Sequence, residues 1–520
     1  MKGRILPTSK WKKWIEGIDS EKVYEQDTET FVYFNSHKKE LLLSLLTLYE
    51  KYFGEEEVQI LRIPARVNLM GMHIEHRGGF VNHICLPCET VMVVSKGEEG
   101  WFKACNLNKA YPPRSFYIPD FFPLLDAYSW EKFIEKVNIK KGDWGNYLLG
   151  GILRLAKEFP SQRRQGVKLA IGGDIPLNAG LSSSSTLVVG ATLAFCQMNG
   201  IPFSVERLTE LCGEGEWLVG TRGGAGDHGA MLLGREDNIL HLRFFPLYYE
   251  YIPFPEEYAV LVTHSGVSAE KAKGAKDIFN QRVATYDLAL MWLKKVFPEW
   301  KDKILWVRDI NPQNLGIKEE DIYSLLKSLP LRITRSQMKK EFPKERKFLD
   351  RVFSTHKEPR EGYALRDVLL YGISECRRAE VVFSLAQKKD WKRIGELMYI
   401  AHDGDRVIGY QKGEAGVGGQ ETTDEYLDRL IRERRRLEEV PGGYRCSVPE
   451  LDIMVDLMKE LPFVIGARLT GAGLGGSMVV LVKRGKEEEV KRVLQEKYYS
   501  PRNLKPLIVE GIPISGASFM

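Results

Sequence analysis

Residues 71–79 read GMHIEHRGG, directly after the strand-like RIPARVNLM. Packing has no use for His73, Glu75, His76 and Arg77 on one short turn closed by two glycines. Imidazole, carboxylate and guanidinium groups held together can hydrogen-bond the hydroxyls of a polar ligand or hold an anion. A second stretch, DIPLNAGLSSSSTLVVGA, passes from a strand-like to a helix-like run through small residues and four consecutive serines, Ser182 to Ser185. Exposed N–H groups at a helix N-terminus bind anions with the aid of the helix dipole, and small side chains let phosphate oxygens approach. The GxxxxGK[ST] pattern is absent, so the stretch reads either as a phosphate loop without a Walker lysine or as a serine-rich helix cap. A third, LTGAGLGGSMVVLV, sets Gly471, Gly473, Gly475 and Gly476 between strand-like segments, which suits close backbone approach to a ligand or a bulged hairpin.

Mixed elements position these stretches. SHKKELLLSLLTLYEKYF (36–53) has helical spacing behind a capping Ser36, and VQILRIPARVNLMG, FVNHICLP and TVMVVSKG read as three strands broken by Gly and Pro. WGNYLLGGILRLAKEF is an amphipathic helix, VKLAIGGDIP a strand, and STLVVGATLAFCQMNG a small-residue helix ending at Gly200. AVLVTHSGV opens a second block, in which charged helical segments near 270–300 and 365–400 precede the third glycine stretch. The Gly-rich IGYQKGEAGVGGQ suits a lid, and the RERRR run after it a solvated helix face. The expected class is α+β, with a helical extension over 1–57, a first domain over 58–250 and a second over 251–520 that carries insertions near 300–365 and 407–443.

Length and composition bound the rest. A chain of 520 residues exceeds what one core organises. Hydrophobic residues at 43% and charged residues at 28% are globular values, and the net charge of +5 carries no nucleic-acid or membrane footprint. Seven scattered cysteines indicate reduced thiols, with Cys85 and Cys88 too few for a zinc site. The N-terminus lacks a signal-peptide core and no run reaches the length of a membrane helix, so a cytoplasmic protein, monomer or homodimer, is expected.

PARVNLMGMHIEHRGGFV, PLNAGLSSSSTLVVGA and GARLTGAGLGGSMVVLV together resemble the three ordered signatures of the GHMP kinases, and most closely those of the galactokinase branch. WGNYLLGGI, GTRGGAGDHGAMLLG, VLVTHSGV, RIGELMYIAHDGD and CSVPELDIMVDLM continue the likeness in the same order, so that it covers roughly residues 58–520. The resemblance implies an N-terminal domain, a ferredoxin-like C-terminal domain, and ATP with Mg²⁺ in the cleft between them. It implies Asp227 as catalytic aspartate and Arg66 as active-site arginine. Asn178, Gly180, Leu181, Ser182, Ser183, Ser184 and Ser185, with Gly471 and Gly473, would hold ATP. Magnesium would take Ser184 and a carboxylate of CGEGEWLVG, for which Glu216 is preferred over Glu214. Sugar contacts would come from Met72, His73, Glu75, His76, Arg77 and Gly226.

The departures from the family pattern carry the specificity. Galactokinases typically show GEHTDYNGG at this turn, so Glu75 stands for their aspartate and Met72 for the glutamate that holds the C6 hydroxyl. Losing a charged hydrogen bond costs about 1.5–3 kcal/mol, one to two decades in affinity. A sugar altered at C6 is therefore expected: a uronate, which the GxHIxH likeness to galacturonokinases and the charge of His76 and Arg77 would suit, or a pentose or 6-deoxy sugar. Asn178, Ser185 and His228 are further departures, where the family has Gly, Ala and Gln. The expected reaction is phosphorylation of an anomeric hydroxyl; galactokinase proper, a kinase for a non-anomeric alcohol, and a non-catalytic sugar and ATP sensor are the alternatives.

Overall fold

The computed structural model describes residues 3–18, 22–25, 30–163, 165–176, 179–220, 223–268, 274–409 and 421–520. Its first sheet is built on the strand Glu57–Met70, which is buried at every residue after its first. A strand covered on both faces needs no polar alternation, which is why its sequence reads as a near-continuous apolar run. It pairs antiparallel with Val81–Gly97 from Gln59↔Val94 to Met70↔Asn82. The two runs expected around Pro87 are thus one strand. The register slips between Pro64 and Ala65, so Pro87 and Cys88 stand unpaired in a bulge that spares the proline a ladder hydrogen bond.

Gly166–Gly173, Trp101–Asn106 and Arg114–Tyr117 extend the sheet on one side, and Asn238–Arg243 with Tyr248–Pro253 joins it at Val81–His83. Helices Gly145–Glu158, Ser183–Asn199 and Val205–Glu216 cover one face through Leu149, Ile152, Val188, Leu193 and Leu211. On the other face Trp11 and the helix Ser36–Phe53 pack Leu42, Leu45 and Tyr49 on Ile60, Val91 and Val93. That helix is capped by Asn35, whose side chain accepts from the Lys38 N–H, and Ser36 is its first helical residue instead of its cap.

The second sheet contains Tyr258–His264, Val464–Thr470, Ser477–Lys483 and Ile508–Gly511, all antiparallel, in the spatial order fourth, first, third, second. With Pro449–Lys459 and Glu487–Leu494 on its outer face, this is a ferredoxin-like domain. Helices Leu365–Gln387 and Trp391–Asp405 lie between the two sheets, where one apolar cluster takes Val67 and Ile84 from the first and Val260, Val479 and Leu481 from the second. The two sheets therefore share one core.

Residues near 300–365 form short helices with an apolar cluster that also takes in Tyr286, Leu369, Tyr426, Leu427 and Leu430. Of the segment expected as a lid, 410–420 lie outside the described residues; the helix Asp424–Arg432 beyond them packs into that same cluster. Residues 432–436, the RERRR run, are exposed. At its end the chain returns to the first sheet, with Ser518–Phe519 pairing on Arg62 and Leu61 and Ile514 bridging to Cys85.

Candidate active site

Arg66 projects from the middle of the strand Glu57–Met70 and meets Asp227 in the first turn of the helix Gly226–Leu233. Its Nε and Nη2 donate to the two Asp227 carboxylate oxygens at 2.6 and 2.5 Å, a bidentate pair, while Nη1 donates to the Gly180 carbonyl at 2.9 Å and Nη2 also to Ser182 Oγ. Ser182 in turn donates to Asp227 Oδ2 at 2.5 Å. Burial by itself would raise the Asp227 carboxyl, but the Arg66 guanidinium outweighs it and holds the group well below the usual carboxylate range. Asp227 is thus ionised at working pH, with 30% of its side-chain surface exposed.

Ser182 occupies the cap position of the helix Ser183–Asn199 in the left-handed conformation and makes no side-chain cap hydrogen bond. Its hydroxyl is spent on Arg66 and Asp227, which argues against the simple cap reading of the serine run. Gly180 faces Gly471 of the second domain: a Cβ on Gly471 would come within 3.4 Å of the Gly180 Cα. Ser477 Oγ donates to the Ala179 carbonyl at 2.6 Å and ties the two glycine-bearing loops together. Two expected nucleotide contacts look elsewhere. The Leu181 side chain is buried in the inter-domain cluster, and a Cβ on Gly473 would strike the Cys446 carbonyl, so that glycine serves packing. Asn178 lies outside the described residues.

Glu216 ends the helix Val205–Glu216 under the serines: Ser184 Oγ donates to it at 3.4 Å and Ser185 Oγ at 3.0 Å. Glu214 turns away to accept from Arg154 Nε at 2.5 Å. His228 Nε2 stands 2.9 Å from Glu216 Oε2. Although burial opposes its charge, the Glu216 carboxylate raises the imidazole above its ordinary pKa. Among the described residues no group of three or more His, Cys, Asp or Glu could hold a metal by itself. Serine hydroxyls with one carboxylate are hard oxygen donors that suit Mg²⁺ carried on phosphates, where the ion keeps water and phosphate oxygens for most of its shell.

The GMHIEHRGG turn splits its side chains. Glu75 reaches toward Asp227 and accepts from the Gly226 N–H at 2.6 Å; a Cβ on Gly224 or Gly226 would collide with its carboxylate. Burial first, then the charge of Asp227, raise its pKa to about 7. His73, held at φ 63°, stacks on Tyr444 at 4.3 Å and approaches Asp405 at 3.4 Å. Arg77 points to another element: it pairs with Asp287 at 2.5 Å, donates to the Val283 carbonyl at 2.7 Å and lies over the Tyr286 ring. His76 sits edge-on to Tyr286, and burial keeps its imidazole neutral. The positive charge expected of these two residues is therefore compensated or absent.

Glu375, from the middle of the helix Leu365–Gln387, takes the Gly71 and Met72 amides on Oε1 at 2.9 and 3.0 Å, with Arg468 on the same oxygen and Arg378 on Oε2, both at 2.7 Å. All three of these charged side chains are fully buried. In spite of that burial, the two guanidinium groups lower the Glu375 carboxyl to about 2. Sequence reading passed over Glu375 because SECRR looks like one more turn of a charged helix; the apolar residues on both sides of it were the available signal. His83, opposite Asn68 on the neighbouring strand, was also missed; burial, reinforced by Arg66, lowers it to about 3.

Family models match the chain in three places: a galactokinase galactose-binding signature over 47–96, the GHMP kinases N-terminal domain over 146–235 and the GHMP kinases C-terminal region over 420–500. Both GHMP kinase domains are thus matched in order behind a galactokinase signature. The chain is a galactokinase-like phosphotransferase. Galactokinase of Dictyostelium discoideum is 23% identical over 96% of this chain and 95% of that one. Galactokinase of Thermococcus kodakarensis is 28% identical over 84% of this kinase and 92% of its own length. In fold, the kinase matches the crystal structure of Lactococcus lactis galactokinase complexed with galactose, at a TM-score of 0.66 and 19% identity over 92% of this chain and 99% of that one. No helix among the described residues is long and apolar enough to cross a membrane.

Proposed function

We propose that this kinase transfers the γ-phosphoryl group of ATP to the anomeric hydroxyl of a galactose-like sugar that lacks a polar group at C6, such as a pentose or a 6-deoxy sugar. The observation that carries the reading is the Arg66–Asp227–Ser182 constellation, set between two facing glycine loops and next to Glu75. Asp227, held ionised, accepts a hydrogen bond from the attacking hydroxyl and takes its proton as the new phosphorus–oxygen bond forms. Arg66 stabilises charge on the attacking oxygen and fixes the carboxylate orientation. Glu216 with Ser184 and Ser185 would hold Mg²⁺, which when bound neutralises charge on the phosphates.

Glu75 and His73 would receive sugar hydroxyls. Beside C6, Met72 would offer an apolar side chain, Arg77 is paired with Asp287, and His76 is neutral, so neither basic residue of the turn would compensate the carboxylate of a uronate. The test is ADP release with Mg²⁺ across arabinose, fucose, galactose and galacturonate, with the phosphorylated carbon assigned by phosphorus NMR. Arabinose or fucose should give the highest kcat/KM and a 1-phosphate. Highest activity on galacturonate or galactose would overturn the C6 argument, and a product phosphorylated elsewhere would overturn the anomeric assignment.

A further inference from the structure

Beside the GMHIEHRGG turn lies a cavity of about 220 Å³ that none of the proposed catalytic or phosphate-loop residues lines. Its walls come from Gly78 and Gly79 of the turn, Arg243, the Arg308–Asn314 stretch of the 300–365 region, and the Cys376–Arg377 step of the helix that carries Glu375. Three arginines line it, and they differ in what neutralises them. Arg308 is anchored by the carbonyls of Gly78, Phe244 and Phe245 and lies 3.5 Å from Asp309. Arg377 pairs with Glu380 at 2.9 Å. Arg243 has no acidic partner among the described residues: it is held over the rings of Phe80 and Tyr248 at 5.1 and 5.2 Å, and its Nε is buried without a hydrogen-bond acceptor. That Nε is closed to any occupant; what the cavity meets is the Arg243 cation itself, which no carboxylate among the described residues neutralises and for which a carboxylate or phosphate oxygen is the natural complement.

We infer that this cavity is a binding site for a small hydroxylated anion, a sugar acid or a polyol phosphate, whose charged group meets Arg243 and whose hydroxyls meet Glu380 and the Gln313 amide. Two observations select that class. The volume is below the roughly 300 Å³ at which drug-sized sites begin, so the occupant is no larger than a monosaccharide. The lining also carries Asp309, Glu319 and Glu380 beside its three arginines, so hydroxyl donors are needed along with the anion. Glu375, one residue before the cavity wall, holds the Gly71 and Met72 amides, while Gly78 and Gly79 close the same turn. An occupant therefore bears on the geometry of the turn, and by linkage turn ligand and occupant shift each other's affinity equally.

The experiment is isothermal titration of the full chain, without nucleotide or sugar substrate, using gluconate, glycerol 3-phosphate and inorganic phosphate as probes, on wild type, Arg243→Gln and Gln313→Glu. Gln313 is exposed at the rim and near the start of a short helix, where a glutamate is tolerated, so this variant keeps the test open if Arg243→Gln fails to fold. Saturable binding of gluconate or glycerol 3-phosphate is expected, weakened about tenfold or more in each variant that folds. Gluconate binding alone would identify carboxylate as the charged group, and glycerol 3-phosphate binding alone would identify phosphate. Equal binding in the variants, binding of inorganic phosphate as tight as that of either polyol, or no binding to wild type would each overturn the assignment. Because no turnover is measured, failure here leaves the kinase reading untouched, and the reverse holds too.

Discussion

Replacing Glu75 with glutamine tests the sugar side of the site most directly. Glu75 lies beside Asp227 with one oxygen 2.6 Å from the Gly226 amide nitrogen, and burial with the charge of Asp227 brings its pKa to about 7. With that value, about nine-tenths of the enzyme carries the carboxylate at about pH 8 and about one-tenth at about pH 6. A carboxylate accepting from a sugar hydroxyl is a charge-assisted bond of about 1.5–3 kcal/mol, which protonation forfeits. The sugar Kd of the wild type, measured calorimetrically without nucleotide, should therefore rise as pH falls through the window around 7, by about tenfold between pH 8 and pH 6. Glu75→Gln keeps the acceptor for Gly226 but cannot ionise, so its Kd should match the acid form of the wild type and stay flat across that window. A flat wild-type profile, or the same slope retained by the variant, would refute the claim that Glu75 ionisation governs sugar binding.

Asp227→Ala should lower turnover by about two to four orders of magnitude while ATP affinity, followed by fluorescence titration, changes little. Glu216→Gln should raise the Mg²⁺ concentration for half-maximal activity by about tenfold or more, whereas Glu214→Gln, which only loosens the Arg154 pair, should leave it unchanged; equal effects would remove the preference for Glu216. Met72→Glu should improve kcat/KM for galactose relative to arabinose by one to two decades, the value of about one charged hydrogen bond to the C6 hydroxyl. No change in that ratio would mean that position 72 does not face C6.

Motif chemistry was legible because it is local. The spacing of PARVNLMG, the serine run and GDHG put Arg66, Ser182 and Asp227 in order along the chain, and short-range backbone rules sufficed to place a loop before a helix and a glycine turn after a strand. The α+β class and the long elements followed from periodicity. Merging two expected strands into one through Pro87 did not, because a bulge is decided by the partner strand's register.

Charge compensation was not legible either. The direction of the Arg77 side chain is set by Asp287, 210 positions away, and the Met72 amide is fixed by Glu375, 303 positions away. Sequence alone determined which chemical groups this kinase carries at its turn and loops. Tertiary structure decided which of them keep a charge facing the cleft: a guanidinium or carboxylate acts on a ligand only if no buried partner has already neutralised it, and such partners come from elements that meet only when the domains pack.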